Sequence, residues 1–296
     1  MDTCPTQPRE THFPSGELRA ALGLGTSRFG EAASRGATEV GALHQALDTG
    51  WRLIDTAEMC GEGGAEEVAG QALVEALRAG VPRSELFIFS KAFPEHASMR
   101  GLQAACEAGL RRLKLEQIDL YLLHWRGAVP LAETVRGCEQ LQRRGLIRLS
   151  GVSNFDFDDM RELATVPDGY ACATSQVHYS LIQRGLEHDR LPWQRLQQMP
   201  LMVCSPFEQG ELVDNPRLRP MAQRHRATPA PVVLAWLLHQ PGVMAMAMAI
   251  TVPKAGNALH LRHNWAAQQL RFTDADLAEP DLRFAPPNGN QALATR

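Results

Sequence analysis

Three side chains that can move or hold protons follow three successive apolar runs of the sequence. Asp55 ends the run "RLID", Lys91 ends "LFIFSK" and His124 ends "DLYLLH". A lysine beside a carboxylate keeps its charge, and that charge lowers the pKa of a neighbouring proton donor. A nearby histidine orients a carbonyl oxygen or donates a hydrogen bond to it. We therefore predict that the three side chains meet in one site.

Polar side chains also follow the next three apolar runs. Ser153 and Asn154 end "IRLSGVSN", Gln176 lies in "ATSQVHY", and Cys204 and Ser205 end "LMVCS". The two amides, with the Ser153 hydroxyl, suit a planar carboxamide ligand. The whole set favours a site that polarises a carbonyl group while a cofactor delivers hydride.

The runs that carry these residues have the spacing of β-α units. Short apolar runs separated by helical stretches indicate strands buried on both faces, as in parallel sheets. Eight such units in one chain favour a closed (β/α)8 barrel, whose sites lie at the carboxyl ends of the strands. The eight runs begin at Ala21, Arg52, Leu86, Asp119, Ile147, Ala173, Pro200 and Met246.

Apolar stripes predict the helices between these strands. Residues recur at spacings of 3 and 4 along each of two stretches, which is the pattern of a helix with one buried face. Thr228 is a predicted N-cap of the helix that carries Trp236. The two stripes are Met99, Leu102, Cys106, Leu110 and Leu113, and Leu131, Val135, Cys138 and Leu141.

Two further segments complete the predicted architecture. The segment "FPSGELRA" before the first strand suits a short β-hairpin that closes the bottom of the barrel. The run "VMAMAMAITV" from Val243 is longer than an eighth strand needs and indicates a duplicated or bulged strand end. We expect one domain over residues 1–296, with a core from about 13 to 284.

Composition excludes several classes of function. The 296 residues are 44% hydrophobic and 21% charged, which is ordinary for a globular protein. A net charge of −3 gives no electrostatic case for nucleic acid or an anionic membrane. No apolar run is long enough to span a membrane, and the first twenty residues lack the apolar core of a secretory signal.

Cysteine and histidine usage indicates a cytoplasmic protein without a metal site. The six cysteines form no C-x-x-C pair and are expected to be reduced thiols. The ten histidines show no H-E-x-x-H spacing, so we expect no metal. His178 and His188 have no assigned role and are expected in the core or on the surface.

The sequence resembles the aldo/keto reductases from about Phe13 to Phe284, most closely the bacterial members that reduce small aldehydes such as methylglyoxal. The resemblance rests on "LGLGTS", "LIDTAEMCGEGGAEEVAGQAL", "LFIFSKAF", "RLKLEQIDLYLLHW", "GLIRLSGVSNF", "SQVHYSL", "CSPFEQG" and "VPKAGNALHLRHN".

The resemblance implies NADPH-dependent reduction of an aldehyde or ketone, with a role for each matching residue. Asp55 pairs with Lys91, and His124 lines the oxyanion site. Ser153, Asn154 and Gln176 bind the nicotinamide carboxamide. Ser205 and the loop to Leu212 wrap the pyrophosphate, Lys254 contacts the adenosine 2′-phosphate, and Asn264 the adenine. The family binds NADPH without the glycine-rich Rossmann fingerprint, which this sequence also lacks. The resemblance also implies that the protein is a monomer.

This sequence departs from the family at four positions. The general-acid Tyr falls at Cys60, the nicotinamide-stacking Tyr at Cys204, and a substrate-pocket Trp at Ser27. The adenosine-phosphate Arg falls at His260. The pocket is therefore expected to be wider and less aromatic than in relatives, which favours bulkier or flexible carbonyl substrates.

The departure at Cys60 leaves alternatives open. Lys91 is expected to favour the Cys60 thiolate, but sulfur lies one bond beyond Cβ and reaches less far than a phenol oxygen. The proton would then come from water or from His124, and the loss of a positioned acid removes roughly 10²–10⁴-fold in rate. The alternatives are an NADPH-binding barrel without turnover, acting as a sensor or scaffold, and thiol chemistry at Cys60 without hydride transfer.

Overall fold

The structure is a computed structural model that describes residues 9–248, 257–289 and 291–293. Its strands are β1 (Glu10–His12), β2 (Leu18–Ala20), β3 (Leu22–Gly25), β4 (Leu53–Asp55), β5 (Phe87–Ala92), β6 (Ile118–Leu123), β7 (Ile147–Ser153), β8 (Cys172–His178), β9 (Leu201–Cys204) and β10 (Val243–Met248). Its α-helices are α1 (Gly36–Thr49), α2 (Gly64–Arg78), α3 (Met99–Leu113), α4 (Leu131–Arg143), α5 (Phe157–Thr165), α6 (Arg190–Leu196), α7 (Arg219–Arg224), α8 (Pro229–His239), α9 (Asn257–Ala266) and α10 (Asp274–Arg283).

Strands β3 to β10 close into a parallel barrel. The order around it is β10-β3-β4-β5-β6-β7-β8-β9, and every neighbouring pair is parallel. Helices connect successive strands, because a parallel pair cannot be joined by a tight turn. The predicted (β/α)8 barrel is confirmed.

The N-terminal hairpin packs against the apolar interior of the barrel. β1 and β2 pair antiparallel, with Gly16 in the turn between them at a φ of 81°. Phe13 belongs to the same buried cluster as the lumen residues Leu53 and Phe89, and its ring lies 5.5 Å from that of Phe87. The predicted hairpin at the closed end is therefore present.

The Met-Ala run is an alternating strand, and it begins earlier than predicted. β10 starts at Val243 instead of Met246 and pairs in continuous register with both β3 and β9. Met244 and Met246 belong to the lumen cluster, whereas Ala245 and Ala247 pack in the main core cluster. The alternation thus places large side chains inside the barrel and small ones outside. These residues show no bulge, and the end of the run, residues 249–252, lies outside the described ranges.

Two details of the helices differ from the prediction. Most of the α3 stripe is buried, but Met99 is 43% exposed because it is the first residue of the helix, directly after the Ser98 cap. Thr228 occupies the N-cap position of α8 without a side-chain capping bond. A cap oxygen accepts from the amide of the second or third helical residue, and the third is Pro231, which has no N–H.

The described residues contain neither a helix that could span a membrane nor a disulfide bond. No helix among them is both long and apolar enough to cross a membrane. Their cysteines are free thiols, at positions 60, 106, 138, 172 and 204.

Candidate active site

The carboxyl ends of β4, β5 and β6 bring the predicted proton-handling residues together. Asp55 is the last residue of β4, Lys91 lies near the end of β5, and His124 directly follows β6. Lys91 Nζ donates hydrogen bonds to Asp55 Oδ1 and, at 3.0 Å, to the carbonyl oxygen of Thr56. Asp55 and Lys91 are both buried, so each charge depends on the other for compensation.

Gln176 completes this network in a way that the sequence did not predict. Its Nε2 donates to Asp55 Oδ2 at 2.7 Å. Both oxygens of the Asp55 carboxylate therefore have a donor, one charged and one neutral. An anion satisfied in this way holds Lys91 in one position.

The network borders a cavity of about 140 Å³ at the mouth of the barrel, the mouth cavity. The structure brings together here all the predicted site residues of strands β4 to β9, together with Ser27. The predicted residues that line it are Ser27, Asp55, Cys60, Lys91, His124, Ser153, Asn154, Gln176, Cys204 and Ser205.

His124 is held in this cavity as a neutral imidazole. Burial, and then the charge of Lys91, lower its pKa from 6.5 to about 3. Asn154 Nδ2 donates to the carbonyl oxygen of His124 at 3.1 Å and fixes this segment of the chain. A neutral imidazole donates a hydrogen bond but carries no spare proton at neutral pH. His124 as the source of the proton, one of the two expected routes, is not supported.

Cys60 is a protonated thiol, contrary to the expectation that Lys91 makes it a thiolate. Burial raises the pKa of Cys60 and outweighs the opposing effect of the Lys91 charge. Cys60 begins a short 3-10 turn between β4 and α2 and is only partly buried. A neutral thiol is a weak donor and a weak nucleophile.

A close crossing of two main-chain segments positions Cys60. The loop after β3 crosses the turn that follows Cys60, and glycines stand at the contact. A Cβ on Gly30 would lie 2.2 Å from the carbonyl carbon of Gly64, and one on Gly61 would lie 2.8 Å from that of Gly30. Gly61 also has a φ of 59°, which favours glycine.

Cys204 ends β9 and opens the loop that the resemblance assigns to the pyrophosphate. Burial raises the pKa of the Cys204 thiol to about 12, so it behaves as a small apolar group. The next residue, Ser205, has a φ of 52°, and Glu208 and Gln209 have φ values of 50° and 54°. The loop then returns to the core at Leu212, which is fully buried.

The residues predicted to bind the adenosine end of the cofactor lie at a different cavity. His260 and Asn264 are on α9 and border a cavity of about 280 Å³, together with Phe207 and Val213 from the loop after β9. Asn264 is buried and His260 is exposed. Lys254 lies outside the described residues.

Sequence reasoning missed a buried pair at the mouth of the barrel. His178 Nε2 and Glu208 Oε1 lie 2.6 Å apart, and the two residues are 3% and 4% exposed. Ser180 Oγ donates to the same carboxylate oxygen. His178 follows Gln176 by two positions on β8, so alternation placed it on the lumen face. The position of His178 on the lumen face could therefore have been predicted, whereas its pairing with Glu208, 30 positions further along the chain, could not.

A second, larger cavity of about 950 Å³, the outer cavity, adjoins the mouth. His124, Asn154 and His178 border both cavities. Aromatic side chains such as Trp125 and Phe157 form part of its wall. The three shared residues mark the place where a ligand in the outer cavity meets the Lys91 network.

Comparison with known proteins decides the family. Residues 21–281 match the aldo/keto reductase family. The protein belongs to the aldo/keto reductases.

Individual relatives match most of the length of this aldo/keto reductase. Methylglyoxal reductase YeaE of Escherichia coli K12 is 43% identical over 92% of this chain and 94% of its own length. Glyoxal reductase of Bacillus subtilis is 34% identical over 81% of this chain and 80% of its own. An aldo/keto reductase of Klebsiella pneumoniae, crystallised with NADP and acetate, superposes with a TM-score of 0.88 at 39% identity, over 98% of this chain and 100% of that one.

The described residues of this aldo/keto reductase contain no cluster of possible metal ligands. Over residues 9–248, 257–289 and 291–293, no group of three or more histidine, cysteine, aspartate or glutamate side chains is placed to hold a metal ion. The groups that line the mouth cavity include the paired Lys91, the neutral His124 imidazole and the amides of Asn154 and Gln176.

Proposed function

We propose that this aldo/keto reductase reduces small aldehydes, ketones and 1,2-dicarbonyl compounds to alcohols with NADPH. The observation that carries the proposal is the buried Lys91–Asp55–Gln176 network beside a neutral His124 in one cavity. Relatives that span most of the chain are named methylglyoxal and glyoxal reductases, which supports dicarbonyl substrates. We further propose that it acts as a monomer.

The residues present fit NADPH at two places. The mouth cavity has Ser153, Asn154 and the Oε1 of Gln176 for a carboxamide, since only the nitrogen of the Gln176 amide is committed to Asp55. The cavity beside α9 has the buried Asn264 for a base. The loop between them turns through several left-handed residues, as a backbone cradle for phosphate does. The Klebsiella relative, crystallised with NADP, supports the same cofactor here.

The chain's own residues would stabilise the negative charge that develops on the substrate oxygen. Reduced nicotinamide supplies the hydride when bound. His124, neutral at physiological pH, donates a hydrogen bond to the carbonyl oxygen. The charge of Lys91, fixed by Asp55, favours the alkoxide that forms. Gln176 holds Asp55 and so keeps this geometry when the charge changes.

The thiol at position 60 is the reason that we expect slow turnover of NADPH and the carbonyl substrate. We propose that it stands where relatives have a proton-donating Tyr. The thiol is protonated but short, and burial raises its pKa, so it does not donate efficiently. The loss of a positioned general acid costs roughly 10²–10⁴-fold. Turnover is therefore retained but slow.

The test compares the parent protein with Cys60→Tyr and the matched control Cys60→Phe. NADPH absorbance is followed with methylglyoxal and with a nitrobenzaldehyde. We expect measurable consumption by the parent, a rise of about 10²-fold in Cys60→Tyr, and no rise in Cys60→Phe, which adds the ring without the hydroxyl.

Two results distinguish the alternatives. A parent that quenches or shifts NADPH fluorescence but never consumes NADPH is a binding protein, the sensor or scaffold, and the reductase proposal fails. Activity that needs no nucleotide and is abolished by iodoacetamide indicates thiol chemistry at Cys60. Neither result is expected, because the Lys91 cation and the neutral His124 imidazole line one cavity, as the stabilisation of a developing alkoxide requires.

A further inference from the structure

A carboxylate lies in the loop that is proposed to bind the pyrophosphate of NADPH. This phosphate loop, residues 205–212, follows β9 and contains Glu208. A carboxylate that faced a bound pyrophosphate would repel it, because like charges that lie close together repel. Glu208 is only 4% exposed, so its side chain is turned away from solvent. The contacts of this side chain therefore have to explain its presence in the loop.

Residues at the end of β8 and just after it hold the Glu208 carboxylate. Its Oε1 accepts hydrogen bonds from His178 Nε2, at 2.6 Å, and from Ser180 Oγ. His178 and Ser180 are 3% and 0% exposed, so both hydrogen bonds are shielded from water. Ser180 Oγ in turn accepts from the main-chain N–H groups of Ile182 and Gln183, each at 3.0 Å. The carboxylate is thus attached to a fixed part of the barrel.

The register of the barrel places this attachment beside the catalytic network. His178 pairs with Cys204 across β8 and β9, so only a short turn separates that pair from Glu208. Gln176, which holds Asp55, precedes His178 by two positions on β8 and therefore points to the same face of the strand. One face of β8 thus holds Asp55 through Gln176 and the phosphate loop through His178.

The main chain of the phosphate loop has a conformation that needs support. Ser205, Glu208 and Gln209 have φ values of 52°, 50° and 54°, a left-handed conformation that residues with a Cβ rarely adopt. Such conformations persist only where the surrounding structure fixes them. Gln209 is exposed, whereas the side chain of Glu208 is buried and hydrogen-bonded. Glu208 is therefore a polar anchor of this turn.

The anchored turn aligns main-chain N–H groups for an anion. Phe207 has a φ of −102° and a ψ of 9°, and Glu208 follows with a positive φ. A negative φ followed by a positive one directs successive N–H groups to one side, as in the concave anion sites called nests. Fixing Glu208 therefore fixes the amides that the pyrophosphate is proposed to meet.

We propose that Glu208 is a positioning residue, which attaches the phosphate loop to β8 through His178 and Ser180 before NADPH binds. The inference rests on the proposed function, because that function assigns the loop to NADPH. A loop that is already ordered loses less conformational entropy when the nucleotide binds. Glu208 thus raises the affinity for NADPH without contacting it, and the chemical step at Lys91 and His124 does not depend on it.

The first measurement uses the parent protein alone. Amide hydrogen exchange without nucleotide is expected to be slow at Gly210 and Leu212, whose N–H groups both donate to the carbonyl oxygen of Phe207, at 2.9 and 3.1 Å. A loop that becomes ordered only when NADPH binds would exchange these protons rapidly in the free protein. Rapid exchange at both amides of the free protein overturns the proposal.

Three variants separate the attachment of the loop from general effects on the fold. Glu208→Ala removes the carboxylate, whereas Glu208→Gln keeps an oxygen that accepts from the same two donors. Glu75→Ala is the matched control, because Glu75 also pairs with a histidine, His44, at 2.8 Å, but on the surface. Thermal unfolding establishes that each variant is folded. If Glu208→Ala does not fold, the exchange measurement on the parent still decides the proposal.

The variants are compared by fluorescence titration with NADPH and by NADPH consumption with methylglyoxal. Glu208→Ala is expected to raise both the Kd and the KM for NADPH by about tenfold, since the loop then has to become ordered on binding. Its kcat at saturating NADPH is expected to stay within about twofold of the parent value, because the transition state is not affected. Exchange at Gly210 and Leu212 is expected to rise in this variant alone. Glu208→Gln and Glu75→Ala are expected to bind NADPH like the parent.

The possible failures are distinguishable. An unchanged Kd in Glu208→Ala, a loss of kcat instead of affinity, or the same loss in Glu208→Gln overturns the role of Glu208. A parent that does not bind NADPH defeats the proposed cofactor and this inference together. A parent that binds NADPH without consuming it defeats the reductase function alone, because the Kd and the exchange rates still test the loop.

Discussion

At the scale of single residues, the Lys91–Asp55 pair is expected to contribute both to the stability of the fold and to catalysis. The two contributions can be separated by mutation. Lys91→Met leaves the buried Asp55 carboxylate with only the Gln176 amide as a described side-chain donor. Loss of one partner of a buried pair costs about 3–5 kcal/mol. The double variant Lys91→Met with Asp55→Asn removes both charges and is expected to recover most of this free energy of unfolding, as measured with urea.

Activity should not follow stability in these variants. Both lack the cation beside the carbonyl oxygen, so both are expected to lose NADPH consumption. A double variant that regains stability and activity together would show that Lys91 acts only as a structural partner of Asp55.

His124 provides a prediction about pH. Its pKa is lowered from 6.5 to about 3, first by burial and then by Lys91. Its contribution to stability is therefore present above pH 6.5 and is lost as the pH falls toward about 3, because the unfolded chain takes up the proton first. Imidazole NMR should show no titration of His124 between about pH 5 and 8.

The Lys91→Met variant checks the cause of that shift. The pKa of His124 should rise when the lysine charge is removed, yet stay below the ordinary 6.5, because burial is the larger cause. Titration of His124 near 6.5 in the parent protein would contradict both the neutral imidazole and its role as a hydrogen-bond donor.

At the scale of elements, two helical glycines are expected to respond in opposite ways to the same substitution. A Cβ on Gly41, inside α1, would meet nothing within 4 Å, whereas a Cβ on Gly64 would lie 2.7 Å from the carbonyl oxygen of Gly30. Gly41→Ala should stabilise by up to about 1 kcal/mol through helix propensity. Gly64→Ala should destabilise by about 1–3 kcal/mol, because backbone has to shift.

Urea unfolding of the two variants side by side measures this difference. Since Gly64 belongs to the crossing that places Cys60, its variant should also lower NADPH consumption, while Gly41→Ala leaves it unchanged. Equal stabilisation of both would mean that the crossing is loose and does not position Cys60.

The elements also show where sequence reasoning reached its limit. The strand ends at Asp55, Lys91 and Gln176 were predictable, because buried runs and polar residues alternate at the period of β-α units. The start of β10 was placed three residues late, at Met246, although Pro241 and Gly242 form a turn signal directly before Val243. Thr228 makes no side-chain capping bond, and Pro231 removes one of the two amides that could donate to it.

At the scale of the whole molecule, the barrel and the strand-end residues followed from local patterns, but the contacts between distant residues did not. Gln176 and Asp55 are 121 positions apart, and His178 meets Glu208 across a loop of left-handed residues. Burial also reversed the expected effect of Lys91 on Cys60, because desolvation depends on packing that a sequence does not display. The common position of these residues at the mouth of the barrel was therefore easier to predict than their protonation.

The two cavities proposed to bind the cofactor have different lining residues, which makes the final prediction possible. The cavity beside α9 is bordered by His260 and Asn264 and shares no lining residue with the mouth cavity, so a side chain there can be replaced without replacing Lys91 or His124. We expect His260→Arg to tighten NADPH binding by about tenfold or more, since a charge-assisted hydrogen bond contributes about 1.5–3 kcal/mol. NADH lacks the 2′-phosphate and should bind as before.

Fluorescence titration with both nucleotides measures this preference, with Arg262→Gln as a control that removes an exposed charge from the same helix. The gain in NADPH affinity should shrink as salt is added, because the new contact is exposed and electrostatic. If NADPH and NADH tighten equally, His260 does not face the 2′-phosphate and the added charge acts on the whole nucleotide. A gain confined to NADPH, with unchanged kcat, would place the phosphate at α9 and leave proton transfer entirely to the mouth of the barrel.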